Sequence, residues 1–141
     1  MMRVEAIHVR APEDDDVQPV ETVQAVTGKG LSGDRYYFAD GARPGMALTL
    51  IEAGVVADVG LSPGQTRRQL TVSGTGLLDL IGKRFRVGDV ECYGVEICEP
   101  CLHLQELTRP GIIKELVHRA GLNADILSDG SISIGDDIVV L

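Results

Sequence analysis

The sequence predicts a mainly β fold, a β-barrel with a few short helices, in one domain spanning residues 1–141. Three observations carry that expectation. The chain holds 17 glycines with no Gly-x-y period, which implies many tight turns, as in all-β barrels and sandwiches. Short runs of alternating or β-branched residues recur between those turn signals. Helical periodicity is sustained in one stretch only.

Taken in order, "RVEAIHV" (3–9) and "VETVQAV" (20–26) read as strands. Between them "PEDDDVQP" (12–19) is a solvated loop, because a run of like charges repels and stays in water. "MALTLIE" (46–52) sets Met46, Leu48 and Leu50 against Thr49 and Ile51, a strand alternation. "EAGVVADVG" (52–60) and "GLLDLIG" (76–82) each suit one or two helical turns. "RQLTVS" (68–73) is a strand, and "KRFRVGDVECYGVEI" (83–97) is two strands joined at Gly88-Asp89. A short helix is expected to start at Pro100. The longest amphipathic pattern runs from Thr108 to Ala120. It puts Ile112, Ile113, Leu116, Val117 and Ala120 on one face. Thr108 suits its N-cap, Pro110 its first turn and Gly121 its C′ position. "SISIGDDIVVL" (131–141) repeats the hairpin device around Gly135-Asp136.

Composition narrows the function classes. A formal net charge of −8 argues against non-specific binding to nucleic acid or to anionic membrane. Aromatics are 4%, with no tryptophan, so stacking platforms for single strands are not expected. No apolar run approaches the roughly 18 residues of a membrane helix. The N-terminus carries Glu5 and lacks the apolar core of a secretory signal. Three cysteines, an odd number, then argue for a reducing compartment and free or metal-bound thiols. The expected location is the cytoplasm.

Two of the cysteines lie in "VEICEPCLHL" (95–104), spaced Cys-x-x-Cys with a histidine two residues on. Four readings of Cys98 and Cys101 compete. A zinc site would draw on Cys92, Cys98, Cys101 and His103, but the usual second paired half is missing. A redox dithiol of the thioredoxin kind belongs to a βαβ context, which this chain lacks. Inert buried thiols suit Cys92 better than Cys101. A reactive thiolate fits Cys101, which Pro100 would place in the first turn of a helix, near unpaired N–H groups. Glu96 and Glu99 oppose this as nearby like charges.

Positive charge is concentrated in "GKGLSGDRYY" (28–37), "TRRQL" (66–70) and "GKRFR" (82–86). The first is glycine-rich, so its backbone N–H groups could cradle an oxyanion, although it is no P-loop. Adjacent strand residues point to opposite faces, so one of Arg67 and Arg68 is expected to face a pocket.

In combination these blocks are recognisable. "GLSGDRY" (30–36), "RRQLTVSGTGLLDLIGKRFRVGDV" (67–90), "CEPCLHL" (98–104) and "AGLNADILSDGSISIGD" (120–136), in that order, resemble the MOSC family, domains similar to the C-terminal part of molybdenum cofactor sulfurases. The resemblance implies a β-barrel with short helices, bound molybdenum cofactor (molybdopterin) or a related anionic pterin, and a reactive Pro-Cys cysteine that maps to Cys101. Cys101 would carry sulfur as a persulfide or bind molybdenum. Cys98, three residues earlier, is close enough to act as a second, resolving catalytic thiol. Gly33, Asp34, Arg35, Arg67, Arg68 and Gln69 would hold the cofactor. The strand motif reads Arg67-Arg68-Gln69-Leu70 where the family commonly has Arg-x-Asn-Leu. These residues hold no desulfurase domain, so pyridoxal phosphate is not expected to bind here, and a sulfur-donor or redox partner is implied. The alternatives are molybdenum-dependent reduction of N-hydroxylated compounds and a non-catalytic binding module.

Overall fold

The computed structural model describes residues 2–141. In chain order its elements are β1 (Met2–Val9), β2 (Gln18–Val20), β3 (Thr22–Val26), β4 (Gly30–Leu31), β5 (Leu48–Glu52) and α1 (Ala53–Asp58). There follow β6 (Leu70–Ser73), β7 (Arg84–Val87), β8 (Val90–Ile97), α2 (Leu102–Leu107), α3 (Ile112–Leu116), β9 (Leu122–Ile126), β10 (Gly130–Ser133) and β11 (Asp137–Val140). Strand accounts for 38% and helix for 15%, the β-dominated balance that the glycine-punctuated runs predict.

Among the described residues, seven strands close a barrel in the order β1-β11-β7-β8-β9-β5-β6 and back to β1. Strand β1 gives one edge to β6 and shares the other between β11, at Met2 and Arg3, and β2, at Ile7 to Val9. Its C-terminal end therefore runs past the barrel wall, taking His8 and Arg10 with it. Strands β5 and β6 pair parallel. A parallel neighbour cannot be reached by a tight turn, and the segment through α1 supplies the crossover.

The barrel is filled from alternate strand positions: Leu48 and Leu50 from β5, Phe85 and Val87 from β7, and Leu122, Ala124 and Ile126 from β9 are all buried. Each large side chain removed from water in this way contributes about 1.5–3 kcal/mol. A second, smaller cluster joins Val59 to Leu104, Ile112, Leu116 and Ala120. It pins the helices against one side of the barrel and so fixes where the segment between β8 and α2 must lie.

Several local expectations give way to tertiary pairing. Residues 20–26 are not one strand, for the chain breaks at Glu21 and β2 and β3 join different sheets. The second hairpin does not form. Strand β10 pairs with β3, while β11 pairs with β1 and β7. Ile132 buries beside Val23 and Ala25, and Ile138 enters the barrel, so the two strands leave the Gly135-Asp136 turn for different partners. The Thr108–Ala120 helix shrinks to Ile112–Leu116. Gly111 is its N-cap, with φ +90, and His118 at φ +64 stops its continuation. Thr108 instead closes α2, its hydroxyl donating to the Leu104 carbonyl. The apolar stripe buries at Ile112, Leu116 and Ala120, but Val117, which the spacing puts on the same face, lies past the helix end and is exposed. Residues 76–82 form a short 3-10 turn at Leu77–Leu80.

Gly54 in α1 has open space where a Cβ would sit and no left-handed φ. Gly54→Ala should stabilise the fold by about 0.5–1 kcal/mol, because alanine loses less backbone entropy in a helix. The midpoint of urea unfolding checks this, and a fall in the midpoint would count against α1 as a helix in solution.

Candidate functional site

A cleft of about 560 Å³ opens beside the barrel where β1, the Asp34–Tyr36 loop, the approach to β6 and the β8–α2 segment meet. That size is ordinary for a small-molecule site. Four arginines line it, Arg10, Arg35, Arg67 and Arg68, with Asp34 the only acidic residue in its wall. Neither Arg10 nor Arg35 has an ion-pair partner among the described residues. In a chain of net charge −8, this clustering concentrates positive charge in one place, which attracts anions.

The polar framework is built around Asp34. Its carboxylate accepts the backbone N–H of Arg10 (2.8 Å) and of Tyr36 (3.3 Å) and the Gln69 side-chain amide (2.6 Å). Burial pushes the Asp34 carboxyl above its ordinary range, while the bonds from Gln69, Tyr36 and Arg35 act in the opposite sense. Gln69 spends its other end as well, its Oε1 accepting the Thr49 N–H at 2.9 Å. Asp34 and Gln69 thus tie four chain segments together beneath the cleft and have few polar valences left for a ligand.

The two neighbouring arginines differ. Strand alternation would send one of them away, yet both line the cleft, because they precede β6 and Arg67 sits at φ +62. Arg67 donates to the Asp15 carbonyl at 3.0 Å and approaches the Asp16 carboxylate at 3.7 Å. The acidic loop is exposed, as its charge requires, but reaches back to the mouth of the cleft. Arg68 is 8% exposed and gives its N–H groups to backbone carbonyls. The glycine-rich loop stands apart. The N–H groups of Gly28, Lys29, Ser32 and Asp34 are donated within the chain, and no residue from Gly28 to Gly33 lines the cleft. Gly33 is therefore not brought to the site, and Arg35 reaches it at the loop's far end.

Three thiols, three environments. Cys92 faces the barrel core, where burial first, and the Asp125 and Glu91 charges after it, push its pKa up to about 12. Cys98 and Cys101 both line the cleft, so the four residues of the zinc reading are split between the barrel interior and the cleft. Among the described residues no group of three His, Cys, Asp or Glu side chains is placed to hold a metal ion. Cys98 is partly buried, and desolvation raises its pKa against the pull of Arg68. Cys101 is exposed. It is not inside the first helical turn but is the N-cap residue of α2, extended at φ −122 and ψ 166, with no capping bond from its side chain.

Iodoacetamide should accordingly label Cys101 first, Cys98 more slowly and Cys92 only on unfolding. The thiolate is the nucleophile, so a raised pKa leaves less of it near neutrality, and Cys98 labelling should gain on Cys101 as pH rises. Mass-resolved labelling across pH checks the order, and a faster Cys98 at neutral pH would overturn it.

Sequence reasoning missed His8 and Arg10 in the cleft wall, while His103, weighed only as a zinc ligand, lines it too. The Nδ1 of His8 is buried with no hydrogen-bond partner, and burial lowers its pKa. The ring lies so close to Gly64, at φ +93, that an added Cβ would come within 2.7 Å of it. The available signal was a histidine and an arginine two apart at the polar end of a strand, which share a face.

A small β-barrel with a cationic, thiol-bearing cleft on its flank is the class of protein defined here. A model of the MOSC domain matches residues 46–139, and the chain belongs to that family. The matched span includes Arg67, Arg68 and both cleft cysteines but not β1 or the Asp34–Tyr36 loop. Solved structures with the same fold include the YuaD protein from Bacillus subtilis, at TM-score 0.82 and 15% identity over 99% of this chain and 96% of that one. YiiM from Geobacillus stearothermophilus aligns at 0.80 and 17% over 100% and 75%, and YiiM from Escherichia coli at 0.68 and 17% over 100% and 70%. No curated protein matches the sequence. None of the described helices is long and apolar enough to cross a membrane.

Proposed function

We propose that this protein binds the molybdenum cofactor or a related anionic pterin in its cleft and carries sulfur as a persulfide on Cys101. The observation that supports this best is the convergence of four arginines and two cysteines on the wall of one cavity in an acidic chain. The residues suit the group. Arg10 and Arg35, without ion-pair partners, would hold a phosphate through charge-assisted hydrogen bonds, with Arg67 beside them. The buried, unpartnered Nδ1 of His8 marks a further polar atom in the wall. An accessible thiolate at Cys101 suits both a soft metal and sulfane sulfur. When bound, the cofactor supplies a soft transition-metal centre, and the chain's own part is to anchor its anionic end and present the thiol. The persulfide sulfur itself would come from a donor protein.

A second reading, molybdenum-dependent reduction of N-hydroxylated compounds, uses the same cleft. It draws support from the exposed apolar side chains of Tyr36, Met46 and Leu107 along the wall, which suit an organic substrate. Elemental analysis of natively purified protein for molybdenum, zinc and sulfane sulfur tests the proposal. Molybdenum or sulfane sulfur approaching one per chain is expected. Protein with neither, from cells that make the cofactor, would leave only a non-catalytic binding module.

A further inference from the structure

We propose that Cys98 is the resolving thiol of Cys101, held stationary by the buried guanidinium of Arg68; this rests on the persulfide reading above. Arg68 has no carboxylate partner among the described residues. Its Nε donates to the Ala120 carbonyl at 2.8 Å and its Nη1 to the Thr66 carbonyl at 3.3 Å. Its Nη2 reaches the carbonyls of Cys98 and Glu99, both at 3.4 Å. A buried cation is costly unless its donors are satisfied, and here backbone carbonyls from three separate segments satisfy them. The guanidinium thereby clamps the β8–α2 segment to the approach to β6 and to the Ala120–Gly121 corner.

Other bonds complete the clamp on the first half of "CEPC". The Cys98 N–H donates to the Gly121 carbonyl at 2.8 Å, and the Glu99 carboxylate accepts the His118 N–H at 2.9 Å. Pro100 has no N–H to give. Cys101 is tied only through its carbonyl, which accepts the Gln105 N–H at 3.2 Å as α2 begins. One thiol is therefore fixed, partly buried and beside a cation, while the other is exposed at a segment end, three residues along the same cleft wall. Their charges act on each other, for a Cys101 thiolate raises the Cys98 pKa. A fixed inner thiol and a free outer one suit a pair in which the outer thiol is loaded and the inner thiol discharges it.

The chemistry balances. The Cys98 thiolate, its proton lost to solvent, attacks the Sγ of the Cys101 persulfide. The sulfur–sulfur bond of the persulfide breaks, hydrosulfide leaves with the electron pair, and a Cys98–Cys101 disulfide forms. A small-molecule or protein dithiol then reduces that disulfide and is itself oxidised to a disulfide, restoring both thiols.

The test loads wild type, Cys98→Ser and Arg68→Lys with inorganic polysulfide, then follows hydrosulfide release and intact mass. Wild type is expected to discharge and to end as the internal disulfide. Cys98→Ser should load yet discharge at least about tenfold more slowly, because a neighbouring thiol acts at high effective concentration. Arg68→Lys keeps the positive charge but cannot span the carbonyls, so its discharge, counted per sulfur loaded, should be slow. Equal discharge by wild type and Cys98→Ser, or a discharged wild type with no Cys98–Cys101 disulfide, would overturn the proposal. If no variant takes up sulfur, the persulfide reading itself falls. Diamide oxidation then decides the pairing: an internal disulfide upholds it, and dimers linked through Cys101 overturn it.

Discussion

Replacing Cys101 with serine should abolish sulfane sulfur loading and molybdenum retention while leaving the fold intact. A hydroxyl is a far poorer nucleophile than a thiolate at neutral pH and a hard ligand rather than a soft one, so neither function survives the exchange. The side chain is exposed and makes no capping bond. Surface substitutions of this kind usually fall within about 0.5 kcal/mol, so thermal unfolding should hardly move. Cys98→Ser should weaken loading only in part, since the outer thiol remains. Sulfane sulfur assay and elemental analysis of the purified variants give the answer directly. Undiminished loading in Cys101→Ser would place the reactive thiol elsewhere.

Gly121→Ala should be among the most damaging single substitutions in the chain. Gly121 stands at the entry to β9 with φ +128, a conformation that L side chains rarely adopt. A Cβ there would lie 2.3 Å from the Leu50 carbonyl oxygen, a backbone atom of the neighbouring strand that cannot swing away. Conformational strain of about 1–2 kcal/mol adds to overpacking of about 1–3 kcal/mol, giving a loss of about 2–5 kcal/mol. Gly28→Ala is the control, since Gly28 has φ +67 but nothing within 4 Å of an added Cβ. It should show the strain without the clash. Urea midpoints at constant slope separate the two, and a Gly121→Ala protein as stable as Gly28→Ala would refute the close approach. The same substitution bears on the site, because the Gly121 carbonyl accepts the Cys98 N–H. Cys98 should alkylate faster in this variant as its segment loosens.

The legible parts of this protein are those written in short-range pattern. Alternation located β1, β5 and β6, and a Gly-Asp turn between two alternating runs located the β7–β8 hairpin, because side-chain period and turn chemistry act within a few residues. Strand β9 escaped notice. Its Leu122, Ala124 and Ile126 alternate correctly, but Asn123 and Asp125 between them are residues that strands disfavour. Asp125 is tolerated because it accepts the Gly45 N–H at 2.7 Å, a contact spanning most of the chain.

By itself, then, the sequence determined a β-barrel and the helical stripe, since each rests on local spacing, and it singled out the Cys-x-x-Cys segment as a candidate. Only the tertiary structure decided which strands pair, and so sent β10 and β11 apart. It alone brought His8 and Arg10 to the cleft, left Gly33 outside it, and turned Gln69 toward Asp34. It also gave the adjacent arginines opposite occupations, Arg67 at the acidic loop and Arg68 among buried carbonyls. The physical reason is the same throughout. A polar side chain's role is set by which donors and acceptors surround it once water is excluded, and those come from segments tens of residues away.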